Sequence, residues 1–112
     1  MAKIYQRAED KNVATNVIYF SWDDATLAGT AYAYGDINRT KKMTKDELYK
    51  AFVNGCVAVD IETNGAGHMI QGYKVTRIYD VGIGNGYAVS FLAMANGEVK
   101  EIVIHSSEYT HS

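Results

Sequence analysis

Proline is missing from this 112-residue chain, cysteine occurs once, no apolar run is long, and neither sign of charge prevails. Each shortage removes a class of protein. Without proline, the punctuation of the fold falls to the ten glycines, which cluster where turns belong. The lone Cys56 cannot form an internal disulfide and rules out an all-cysteine zinc site. No apolar run nears the ~18 residues that a bilayer-crossing helix needs, so no membrane span is expected. No basic-then-apolar leader opens the chain, so no export signal is expected either. Eleven basic residues against thirteen acidic ones leave a net charge of −2. Affinity for phosphate requires clustered positive charge, so nucleic-acid binding is not expected.

What is present is a hydrophobic share of 47% and nine tyrosines. A chain of this length buries roughly two-thirds of its unfolded surface, enough for one soluble globular domain and too little for two. Residues 1–112 are therefore read as a single domain. Residues 1–42 are its less regular part, and residues 43–109 are a helix-plus-meander body.

The helix has the clearest local signal. Thr44 and Glu47 form an S/T-x-x-E capping box, and Leu48, Ala51 and Phe52 make an apolar stripe behind it. Asn54-Gly55 closes it, which predicts a helix over residues 45–54. Upstream, residues 13–21 hold Val17, Ile18, Tyr19 and Phe20 in a row and predict a strand. Residues 25–35 are small, uncharged and carry two tyrosines, and their periodicity does not separate arm, strand and loop. Downstream, four β segments are predicted at residues 56–62, 69–81, 87–95 and 98–105. Residues 82–86 (GIGNG) and Asn96-Gly97 supply turns between them. The predicted class is α+β, a mostly antiparallel β meander with one short helix.

Chemistry finds few addresses. Asp60-Ile61-Glu62-Thr63-Asn64-Gly65 matches the first motif, D-x-E-T-x-G, of metal-dependent proofreading exonucleases. The later acids, Asp80, Glu98, Glu101 and Glu108, do not sit in that family's later motifs, so the plainer reading is a polar strand end entering a turn. Residues 82–86 lack the helix that a phosphate-cradling loop needs after it. His68, His105 and His111 have no ligand spacing. Cys56 begins an apolar strand and reads as a buried small hydrophobe. Arg39, Lys41, Lys42 and Lys45 adjoin Asp46 and Glu47 and read as a solvated helix approach. No catalytic residue, cofactor or metal is expected. Tyrosine, with its rigid apolar body and hydroxyl, suits protein interfaces instead. Trp22, Tyr32 and Tyr34 are the candidate protein-contact residues, in an arm suited to docking.

The segment Lys42-Met43-Thr44-Lys45-Asp46-Glu47-Leu48-Tyr49-Lys50-Ala51-Phe52-Val53-Asn54-Gly55 precedes the β-rich stretch that ends in Ser106-Ser107-Glu108-Tyr109. Together these residues resemble accessory structural proteins of tailed phages, of the head-fiber and capsid-decoration type. The resemblance covers about residues 42–109. It implies a non-enzymatic protein that binds a capsid or other virion surface, as a homo-oligomer, located in the virion or in the host cytoplasm during infection. The alternative of another class is a small phage-encoded inhibitor that binds a host enzyme or defence complex.

Overall fold

β1 (Val17–Phe20) runs parallel to β2 (Val57–Asp60), and β2 pairs antiparallel with β3 (Gly72–Lys74). β4 (Arg77–Asp80), β5 (Tyr87–Ala95) and β6 (Glu98–His105) form a second, antiparallel sheet. This computed structural model describes residues 16–64 and 72–110. The predicted α+β class holds, with β4, β5 and β6 as the meander and antiparallel pairing in the majority. The parts of the strand readings on residues 13–15 and 69–71, together with Tyr5, His68 and His111, lie outside the described residues.

The helix forms where its caps predict. α1 (Lys45–Val53) opens on Thr44, whose hydroxyl accepts the Glu47 amide at 3.2 Å while the Glu47 carboxylate accepts the Thr44 amide at 2.9 Å. Leu48 and Ala51 are buried against the second sheet, and Gly55 takes a left-handed φ of 78° just past the end. A single-turn helix, α2 (Ile61–Asn64), follows β2 directly.

The predicted segment 69–81 serves both sheets. Its described part holds β3 and β4, divided at Val75 and Thr76. The Val75 amide still donates to Cys56 in the first sheet (3.3 Å), whereas the Thr76 amide donates to Ser90 in the second (2.9 Å). One extended run thus turns a corner between sheets, a step that hydropathy alternation does not record. At Gly72 the approach is close enough that a Cβ would overlap the Val57 side chain.

Residues 25–35, open in the sequence reading, resolve into two parts. A π-helix (Asp24–Ala28) ends on Gly29 at φ 68°. Residues 31–34 then join the two sheets on the side opposite the corner. Tyr34 and Tyr19 exchange both main-chain hydrogen bonds at 2.8 and 2.9 Å. The Ala33 amide donates to His105 at 2.8 Å, and the His105 amide donates to Ala31 at 2.9 Å. Main-chain hydrogen bonding therefore runs from β3 through β2, β1, residues 31–34, β6 and β5 to β4, which continues from β3. The result is a small closed barrel. The expected docking arm is instead part of the barrel wall, because Ala31 and Ala33 are fully buried and small enough to let the neighbouring strands close.

Inside lie Ile18, Phe20, Leu48, Ala58, Val75, Val89, Phe91, Ile102 and Ile104. Phe91 is central. Its ring is 5.2 Å from Phe20 and stacks on Tyr73 at 4.9 Å, and Tyr73 in turn stacks on Trp22 at 6.0 Å.

Candidate functional site

The acidic pair of the exonuclease-like motif sits at the carboxyl ends of the parallel strands β1 and β2. Asp60 ends β2 and is buried, and Glu62 lies in α2. Both reach back to the residues that follow β1. Glu62 accepts the Trp22 amide at 2.7 Å and the Ser21 hydroxyl at 2.7 Å. Asp60 Oδ1 accepts the Glu62 amide at 3.0 Å and the Trp22 amide at 3.3 Å. Ser21 Oγ also accepts the Asp24 amide at 3.2 Å, which starts the π-helix. Burial raises the Glu62 pKa, but hydrogen bonds from the Ser21 hydroxyl and the Trp22 and Asp23 amides outweigh it and hold the carboxyl below its usual range. Burial, with Asp60 nearby, pushes the Tyr73 hydroxyl up.

These carboxylates act as a clasp. Their acceptor positions face backbone amides of the turns after β1 and β2, which would otherwise be left orphaned. Among the described residues, no group of three or more His, Cys, Asp or Glu is placed to hold a metal ion. The later acids serve elsewhere. Asp80 accepts the Gly82 amide at 3.0 Å, Glu108 accepts the Lys45 amide at 2.9 Å, and Glu101 lies on the second sheet.

The clasp makes stability depend on pH. A carboxyl whose pKa is depressed on folding contributes fully above its unfolded value, here 4.5, and loses that contribution as pH falls through its folded value. Glu101 and Glu108 are also lowered and act in the same direction. The urea midpoint is expected to hold between pH 7 and 5 and to fall from pH 5 to 3. In Glu62→Gln the fall should be shallower, so the gap between variant and wild type narrows with acidification.

The glycine-rich loop closes the β4–β5 hairpin, with Val81 donating to Gly86 and Asn85 to Gly82, each at 3.0 Å. Gly86 is required twice over: its φ is 71°, and a Cβ would overlap Ser106 Oγ. A cleft of 560 Å³ lies among this loop, Lys45 and Glu108. The first amide of α1 already holds the Glu108 carboxylate, so the helix N-terminus at the cleft is occupied by the chain's own anion. Of the basic run, Arg39 pairs with Asp24 at 3.5 Å, and Lys42 Nζ lies 3.8 Å over the Tyr32 ring. Cys56 is fully buried, and burial pushes its thiol up to about 11, so it stays protonated at neutral pH.

The three candidate contact residues lie in two places. Trp22 is half-buried beyond β1, packed on Phe20 and Tyr73. Tyr32 and Tyr34 project from the outer side of residues 31–34, since Ala31 and Ala33 face inward. The Tyr32 hydroxyl donates to the Tyr109 carbonyl at 2.7 Å. Burial raises the Tyr34 hydroxyl's pKa, with Arg39 opposing. None of the three stands clear of the body, as an arm would.

A surface that the sequence reading passed over lies on the outer face of the second sheet. By strand register, Arg77 and Tyr79 of β4, Ala88, Ser90, Leu92 and Met94 of β5, and Val99, Glu101, Val103 and His105 of β6 share this face. One end of it is covered by the chain itself, where Tyr109 stacks on buried His105 at 3.7 Å. The other end is open: Leu92, Met94 and Val99 are 62%, 60% and 65% exposed. Across the middle, the Arg77 guanidinium donates to the Tyr79 hydroxyl at 3.4 Å, Tyr79 donates to Glu101, and Ser90 donates to the same carboxylate at 2.7 Å. The signal for this face was present in YAVSFLAMA, which is apolar at both of its alternating sets. One set fills the barrel, and the other is left on the surface. Compared with models of protein families, with curated proteins and with solved structures, the chain matches none.

Proposed function

We propose that this chain is a non-enzymatic accessory protein of tailed-phage particles, binding a capsid or other virion surface through protein–protein contacts. The observation that carries the reading is the outer face of the β4–β5–β6 sheet, where Leu92, Met94 and Val99 form an exposed apolar strip in a chain that fills its core with other side chains. Isolated exposed apolar residues are ordinary, but a contiguous strip on a flat sheet marks a contact surface. The groups with chemical potential point the same way: Asp60 and Glu62 hold backbone amides, and Cys56 is a buried thiol. The resemblance of residues 42–109 to head-fiber and capsid-decoration proteins supplies the kind of partner.

The test is co-sedimentation. In cells producing the phage that carries this gene, wild-type chain is expected to travel with particles through a density gradient. Leu92→Lys/Met94→Lys is expected to remain in the soluble fractions at unchanged thermal stability. Wild-type chain recovered on a soluble host protein, with none on particles, would overturn the reading in favour of a host-directed inhibitor.

A further inference from the structure

Resting on the reading that this chain is an accessory protein of particles, we propose that a second copy of this chain covers the outer sheet face, packed face to face across a two-fold axis parallel to β5. The chain then reaches particles as a dimer, and Leu92→Lys/Met94→Lys loses them by losing the dimer. Two sheets meeting by their flat sides is a common way to cover an apolar face, with strands aligned to within about 30°. A two-fold contact asks more, since the surface must complement itself.

This face meets that condition. Its charged side chains are one cation and one anion, Arg77 and Glu101, and they stand on opposite sides of β5. Rotation about an axis along β5 places Leu92 over Leu92 and Met94 over Met94, and lays β4 of one copy across β6 of the other. Arg77 is in register with Ser90, and Glu101 with Leu92, two residues along the same strand. The Arg77 of each copy therefore comes within about 7 Å, along the strands, of the other's Glu101. An arginine side chain spans that offset, and both ends of the interface gain the same pair.

The polar groups are prepared for burial. Arg77, Tyr79, Glu101 and Ser90 are already linked by hydrogen bonds across the face, and their charges cancel. Covering paired, neutral groups costs far less than covering orphaned ones. The exposed strip is small beside the roughly 1,600 Å² of a standard interface, so a weak, reversible dimer is expected.

Light scattering and sedimentation of the full chain over a concentration series test this directly. The mass is expected to rise from 12.4 kDa to twice that value across the micromolar range. Leu92→Lys, at an exposed site, should weaken dimerisation at least about tenfold with the circular dichroism spectrum unchanged, and with the urea midpoint unchanged at concentrations where wild type is also monomeric. Arg77→Glu and Glu101→Lys should each weaken self-association, because each sets like charges opposite one another twice. An equimolar mixture of those two variants should restore the dimer, since every 77–101 contact between unlike chains is then of opposite charge.

Wild-type chain that stays monomeric up to about 1 mM would overturn the proposal, as would a dimer untouched by Leu92→Lys. Failure of the mixture to restore association would overturn the two-fold arrangement. Particle binding by a strictly monomeric chain would leave the virion reading intact and remove only the second copy. A dimer that ignores particles would do the reverse.

Discussion

Phe91→Ala is expected to destabilise the fold by about 4 kcal/mol, a large share of the stability that a small domain has. The reason is position more than size. Phe91 is fully buried in the middle of β5, where it touches Phe20 from β1 and stacks on Tyr73 from β3. It is the side chain through which the two sheets meet across the barrel interior. The rings around it cannot collapse into the space it leaves, because both sheets are held by the ring of main-chain hydrogen bonds that passes through residues 31–34 and the corner at Val75. Loss of the stack also withdraws support from Tyr73 and, behind it, Trp22. Urea unfolding followed by tryptophan fluorescence checks this, with a midpoint far below that of wild type as the expected result. Phe91→Leu should recover at least half of the loss, because it restores most of the volume without the aromatic stacking. A variant of Phe91→Ala that unfolds within about 1 kcal/mol of wild type would contradict the placement of Phe91 at the centre of the core.

Asp60→Ala is expected to cost about 2 kcal/mol, the second-largest loss. Asp60 is 6% exposed and accepts the amides of Glu62 and Trp22. Alanine leaves the part-buried Glu62 amide without this acceptor, while the Trp22 amide keeps Glu62. A buried donor without an acceptor costs about 1–3 kcal/mol. Asp60→Asn keeps an acceptor oxygen and should lose about half as much. The readout that separates this clasp from a metal site is the response to magnesium or manganese. Unfolding midpoints of wild type and variant should be unmoved by either ion, whereas stabilisation of wild type alone by millimolar metal would reassign the pair as ligands.

How much of this was legible beforehand depended on whether the determining interactions are local. The helix was read to within one residue at its end, because Thr44, Glu47 and Gly55 act on backbone groups three or four residues away. The β5–β6 hairpin was equally plain, since Asn96 and Gly97 both take positive φ, as that turn requires. The buried character of Cys56 followed from its apolar flank. The role of residues 25–35 was not legible. Alanines 31 and 33 look like the filler of a loop until two strands distant in sequence close on them, and nothing nearby announces that His105 is their partner. The clasp role of Asp60 and Glu62 was hidden for a related reason, because the Trp22 amide and Ser21 hydroxyl that they hold lie some 40 residues upstream. The exposed strip on β5 was hidden by ambiguity. Apart from Ser90, its nine residues are apolar on both alternating sets, and only the barrel decides which set is covered.

The chain by itself determined the helix and its caps, the hairpin turns and the alternation within each strand, and hence the α+β class. These follow from short-range sterics, capping hydrogen bonds and composition, all of which can be read within a few residues. Tertiary structure alone decided that β1 and β2 run parallel, that the run from β3 to β4 turns from one sheet to the other, and that residues 31–34 close the barrel. It also decided that one face of β5 to β6 remains open. Those outcomes rest on main-chain hydrogen bonds and packing between residues tens of positions apart, whose selection depends on the whole core closing at once.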